Sequence, residues 1–195
     1  MSKKIGLFWL RDDFRTTRNL GLYEATKNHE EVVVFYLYKE SIYQNQEAQK
    51  WWLSKSLFNF KKELSNYNIS LEIVKTDSFK IFFDKLLIKK DISIYWNKVY
   101  EPDYLKFDDY LLNNLKNKNI LFKICKGNVL SEINEVKKGD GTPFKVFTPF
   151  WRNAERHFIE KIPTKETKIK KCLRKKSFFK NCINHSEILP SKIWF

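Results

Sequence analysis

Charged and amide side chains collect at two places in this sequence where an apolar run ends. The first is Arg11-Asp12-Asp13-Phe14-Arg15, directly behind the apolar residues 4–10. Alternating charges at the carboxyl end of a strand point one way and crowd the next loop. Asp13 can accept from Arg11 or Arg15 in a charge-assisted pair that pins the first turn. The second place is Asn97-Lys98-Val99-Tyr100-Glu101-Pro102-Asp103, behind residues 92–96. Asn97 both donates and accepts, an ionised Glu101 only accepts, and Pro102 restrains the residue before it. Glu101 can instead cap the following helix at its positive end.

Other chemistries lack their patterns. Cys125, Cys172 and Cys182 show no CxxC spacing and are odd in number, which argues against a disulfide framework or a zinc site. His29, His157 and His185 form no H-E-x-x-H pair. Neither GxGxxG nor a Walker A motif occurs, so a standard dinucleotide or P-loop site is not supported. No catalytic residue and no metal ligand is assigned. Apolar residues make up 43% of the chain, enough for a core, without a run long enough to cross a membrane. The apolar run near the N-terminus is too short for a signal peptide, so a cytoplasmic protein is expected. The net charge of +14 is uneven: residues 161–180 carry nine Lys/Arg against one Glu. Such a run is either a solvated tail or a salt-sensitive handle for a phosphate backbone.

The segments that must position these residues alternate between two periods. Residues 4–10, 31–38, 69–74, 92–96 and 120–124 read as strands, the second a nearly continuous apolar run of the kind buried on both faces. Residues 19–28, 47–66, 77–89 and 103–117 read as helices, with Asp77 or Ser78 capping the third. In the second, Trp52, Leu53, Leu57, Phe60 and Leu64 share one apolar face. Strand–helix alternation predicts an α/β fold: a five-stranded parallel, doubly wound sheet with helices on both faces. Ligands of such sheets bind outside the carboxyl ends of the strands, here loops 10–19, 38–47, 75–78 and 96–103. Residues 126–142 read as a loop and 148–160 as a helix. Residues 161–195 carry little core pattern, so the expected division is a domain over 1–160 and a basic linker over 161–195.

Four segments together resemble the DNA photolyase/cryptochrome family. They are Trp9-Leu10-Arg11-Asp12-Asp13-Phe14-Arg15 with Asn19; Trp52-Leu53 with Ser56-Leu57; Tyr95-Trp96-Asn97 through Glu101-Pro102 with Asp108; and Gly141-Thr142-Pro143-Phe144-Lys145-Val146-Phe147-Thr148-Pro149-Phe150-Trp151. The resemblance implies the N-terminal, Rossmann-like antenna domain of a deoxyribodipyrimidine photolyase, whose FAD-binding helical domain would lie beyond this chain. It implies light-driven repair of pyrimidine dimers in DNA by electron transfer from reduced FAD, and predicts that these residues alone neither bind FAD nor repair. It assigns Arg11, Asn97, Glu101 and Asp103 to an antenna-pigment cleft for a folate or a deazaflavin. Val99 and Asp103-Tyr104 depart from the deazaflavin and folate patterns respectively. Lys145 and Arg152 become DNA-contact candidates, and the aromatic ridge around Phe147 is expected to pack against the helical domain. A cryptochrome front domain and a stand-alone pigment- or nucleotide-binding module are the alternatives.

Overall fold

The computed structural model describes residues 4–89, 91–115, 120–127, 129, 132, 135–161, 168–173 and 177–190. Five parallel strands form its centre: β1 (Ile5–Leu10), β2 (Val32–Tyr38), β3 (Ser70–Lys75), β4 (Ile92–Asn97) and β5 (Leu121–Cys125). Their order is β5-β4-β1-β2-β3, so the chain runs outward from β1, returns to its other side at β4, and continues to β5. The connecting helices are α1 (Leu20–Asn28), α2 (Glu47–Ser65), α3 (Phe79–Leu86) and α4 (Pro102–Leu115). Side-chain alternation along each strand divides the core in two. Phe8, Leu10, Val34, Tyr36, Leu71 and Ile73 pack under α1 and α2. Leu7, Trp9, Val33, Phe35, Ile94 and Trp96 pack under α3 and α4. β2 is buried throughout, which is why its sequence shows no polar face. Asn19 caps α1 and Ser78 caps α3 through their side chains.

The sheet has one strand more than the five expected. Cys182–Ile183 forms a short β6, antiparallel to β3 at the sheet edge. It belongs to a stretch expected to be linker with little core pattern. Instead Ile169, Cys172 and Ile188 are buried beside α1 and α2. Phe178 and Phe179 pack against the other layer. The segment therefore wraps the β3 edge from one face to the other and covers what would be an open pairing edge. Its anchor is Glu72, a buried carboxylate in mid-strand. Glu72 accepts from the backbone N–H of Phe178 (2.8 Å) and Phe179 (2.7 Å) and from the Ser177 hydroxyl (3.3 Å). Farther on, the buried Ser54 hydroxyl of α2 donates to the His185 carbonyl at 2.7 Å. The sequence pattern missed this segment because its anchors are isolated residues, too sparse to set a period. Part of the basic run, residues 162–167 and 174–176, lies outside the described residues.

The helix expected at 148–160 is present as α5 (Phe147–Lys161). Among its residues with described side chains only Ala154 is buried. Val146, Phe147 and Trp151 are exposed by 63%, 71% and 42%, and Phe147 and Trp151 stack at 6.2 Å. No helix among the described residues is long and apolar enough to cross a membrane.

Candidate functional site

Where β1 ends, the chain turns Arg11 inward. Its guanidinium grips Asp108 of α4 with both terminal nitrogens, Nη1 at 3.2 Å from Oδ2 and Nη2 on Oδ1. Trp96 Nε1 donates to the same carboxylate at 3.1 Å. The guanidinium carbon lies 3.9 Å from the Trp9 ring centroid and 5.1 Å from that of Tyr104, a cation–π sandwich. The partner of Arg11 is thus Asp108 and not Asp13, which accepts instead from Arg15 at 2.6 and 2.9 Å. One polar atom is left over: Arg11 Nε is buried without a hydrogen-bond partner among the described residues.

Asn97, expected in the pigment cleft, is spent on the fold. Its Nδ2 donates to Asn19 (2.9 Å) and Asp13 (3.3 Å), and its Oδ1 accepts from the Gly21 amide (2.9 Å). It joins the ends of β1 and β4 to the start of α1 with both amide donors and its oxygen engaged, which no spacing rule reveals. Gly21 permits that approach. A Cβ there would meet Asn97 Oδ1 at 2.5 Å and Phe8 Cε2 at 2.7 Å. Gly21→Ala adds about 1 kcal/mol of helix propensity, yet overpacking a tight contact costs about 1–3 kcal/mol. The variant should unfold at lower urea, and a midpoint at or above that of the parent would refute the contact.

Two adjoining cavities open at the carboxyl ends of the strands, where a doubly wound sheet presents its ligands. One, of about 620 Å³, is walled by Arg11, Asp12, Phe14, Tyr36, Tyr43, Trp51, Trp52 and Leu53. The other, of about 880 Å³, is walled by Asp12, Lys39, Tyr43, Phe79, Glu101, Asp103, Tyr104 and Phe107. Asp12 and Tyr43 line both. The structure therefore brings Arg11 to the first cavity and Glu101 and Asp103 to the adjoining one, and leaves Asn97 outside both. At the start of α4 the Glu101 carbonyl accepts from Leu105 N–H at 3.0 Å. Asp103 lies at the rim, 3.9 Å from Lys106. Trp52, expected on the inner face of α2, is 67% exposed and belongs to the cleft wall.

Asp12 is the residue the sequence reading passed over. It lay inside the Arg11–Arg15 motif, but its direction depends on the turn and not on spacing. Asp12 is exposed where the two cavities meet; partial desolvation raises its pKa, the charge of Glu101 adds to the rise, and Arg11 opposes it. Tyr36 and Tyr43 share a hydroxyl hydrogen bond of 2.7 Å beside it. Desolvation, reinforced by Asp12, raises the Tyr104 hydroxyl to about 12, so it remains a donor at neutral pH. Flat aromatic walls, two carboxylates and a phenol donor suit a planar heteroaromatic ligand with a polar edge. The Lys145 and Arg152 side chains are exposed, the first just ahead of α5 and the second in its second turn.

Comparison with known proteins gives the cleft its context. The chain is 28% identical over 149 residues, 76% of its length, to a deoxyribodipyrimidine photo-lyase of Agrobacterium fabrum. It is 25% identical over 167 residues, 83% of its length, to Cryptochrome-2 of Arabidopsis thaliana. It spans only 31% and 27% of those two relatives' lengths. The fold is like that of a class III photolyase from Agrobacterium tumefaciens, with a TM-score of 0.79 at 24% identity, over 98% of this chain and 40% of that one. The DNA photolyase family model matches residues 6–168, and the chain belongs to that family.

Proposed function

We propose that this chain serves as the antenna and scaffold domain of a deoxyribodipyrimidine photolyase, holding a light-harvesting pigment in the cleft between α2, α4 and the β1 end. The family in general binds flavin and an antenna chromophore and acts on DNA. The observation that carries the reading is the aromatic-walled cleft at the carboxyl ends of the strands, lined by Phe14, Tyr36, Tyr43, Trp51 and Trp52. A planar pigment seated there would absorb light for transfer to the flavin. Arg11, Glu101 and Asp103 are the pigment contacts carried forward from the sequence. The flavin photochemistry of the whole protein, repair of pyrimidine dimers, is assigned to the region of its relatives that this chain does not span.

The test is a calorimetric titration of the purified chain with folates and flavins, repeated on Trp52→Ala. Binding that weakens about tenfold in the variant is expected, since an aromatic pair contributes about 0.5–1.5 kcal/mol beyond its buried area. Absence of binding by every pigment tried would refute the reading. Contact with DNA through Lys145 and Arg152 is the companion proposal. They flank the exposed, stacked Phe147–Trp151 pair, a combination of charge and rings suited to a nucleic acid. If each meets a phosphate, replacing both by alanine should lower the slope of log affinity against log salt by about 1.8 on duplex DNA. An unchanged slope would remove both residues from the interface.

A further inference from the structure

The outer face of α2 and the C-terminal segment docked beside it form a surface away from both cavities. Along α2, Lys55, Phe58 and Lys62 follow at steps of three and four, so they share one face of the helix. All three are exposed, and Phe58 keeps 48% of its surface open. Its ring centroid lies 4.9 Å from that of His185 in the C-terminal segment. Burial, and after it the charges of Lys61 and Lys55, lower the His185 pKa, so this ring is mainly neutral at pH 7. The two acidic residues of α2 are engaged elsewhere. Glu47 lies 3.8 Å from Lys50, and Glu63 accepts from the Thr16 hydroxyl at 3.1 Å.

The basic run adds charge on the same side of the sheet. Ile169 and Cys172 are buried in the layer of α1 and α2, and the Cys172 N–H donates to the Tyr67 carbonyl just past α2 at 2.8 Å. Lys168, Lys170 and Lys171 stand exposed around these anchors. The described part of the run is therefore pinned to the domain, with its lysines turned outward.

We propose that this face binds single-stranded DNA, its lysines meeting phosphates and the Phe58–His185 pair stacking on an unpaired base. A cationic surface that tracks the backbone, with rings set into it, is how single strands are held without regard to sequence. Lys55 and Lys62 stand about 10 Å apart along the helix axis, one on either side of Phe58. The charge calls for a polyanion and the open rings call for a flat partner. A duplex keeps its base faces stacked on one another, and an acidic peptide without rings has nothing flat to offer. A face made only for solvent carries both signs and no open ring, as α4 does with Asp103, Lys106 and Asp109. DNA is the nucleic acid on which the family acts. The proposal stands apart from pigment binding, because Lys55, Phe58 and Lys62 line neither cavity.

Fluorescence anisotropy of a labelled oligothymidylate titrated with the full chain at low salt tests it. Phe58→Ala should weaken binding about tenfold or more, and Phe58→Tyr, which keeps a ring, should restore it. Replacing Lys55 and Lys62 together by alanine should lower the slope of log affinity against log salt by about 1.4. Alanine suits both exposed helix positions, so the thermal midpoint should hold. The slope is read in protein already carrying Lys145→Ala and Arg152→Ala, which separates this surface from the one at α5. No binding at low salt, or an affinity and slope that these variants leave unchanged, overturns the proposal. A duplex of the same length bound as tightly removes the role of the rings and overturns it too. An oligouridylate bound more tightly overturns DNA as the occupant. Dimerisation of the parent that Phe58→Ala abolishes would assign the face to a second copy and overturn the proposal as well. Each of these failures leaves the pigment titration, and the reading built on it, unaffected.

Discussion

Replacing Asp108 by alanine is expected to destabilise the protein by about 3–5 kcal/mol, the usual cost of stranding one partner of a buried ion pair. The Arg11 and Asp108 side chains are only 2% and 7% exposed. Removal of the carboxylate leaves the guanidinium packed between Trp9 and Tyr104 with no counter-charge, and leaves Trp96 Nε1 without its acceptor. Ordinary domains hold only about 5–15 kcal/mol in all, so the variant should be barely folded at room temperature. Urea denaturation followed by tryptophan fluorescence reads the shift. The double replacement Arg11→Met with Asp108→Leu should recover most of the loss, since apolar residues of similar volume avoid the desolvation of both charges. Recovery would identify the loss as electrostatic. A loss below about 1 kcal/mol in the single variant would mean that the pair is solvated and that Arg11 is free to move.

Glu72→Ala should have the second-largest effect, and of a different kind. Glu72 receives two backbone N–H groups and a hydroxyl from residues 177–179. Hydrogen bonds to a charged acceptor contribute about 1.5–3 kcal/mol each and do not add fully, so a loss of about 3 kcal/mol is expected. The consequence should be local. The strap of residues 177–190 should detach while the five parallel strands persist, because its docking is separable from the sheet pairing. Limited proteolysis should cut within 177–183, and the Phe178 and Phe179 amides should lose protection from hydrogen exchange. Glu72→Gln keeps one acceptor oxygen and should fall between the two. Unaltered exchange at those amides would mean that packing of Phe178 and Phe179, and not Glu72, holds the strap.

The parallel sheet was legible because its signals are local. β2 is buried on both faces and therefore lacks any polar alternation, and β3 shows Leu71 and Ile73 on one face as the period of two requires. The helix faces of α2 and α3 repeat at three and four residues. Asn19 and Ser78 cap because their side chains accept from backbone N–H groups three residues on. The cleft was legible by place, since the loops at the strands' carboxyl ends supply its walls. Its occupants were only half legible. Arg11, Glu101 and Asp103 reach the cleft, Asn97 is consumed behind it, and Asp12 takes the central position.

The sequence by itself determined the five parallel strands, the helices between them, their order and the family, because periodicity, caps and short motifs act over a few residues. Only the tertiary structure decided which polar groups remain free. Arg11 finds Asp108 across 97 positions of chain and leaves Asp13 to Arg15; Glu72 finds Phe178 across 106. Each long-range pairing removes a side chain from the list of available ligands. What is left lining the cavities, Asp12 and Glu101, is a remainder that emerges once neighbouring donors and acceptors have closed on their partners.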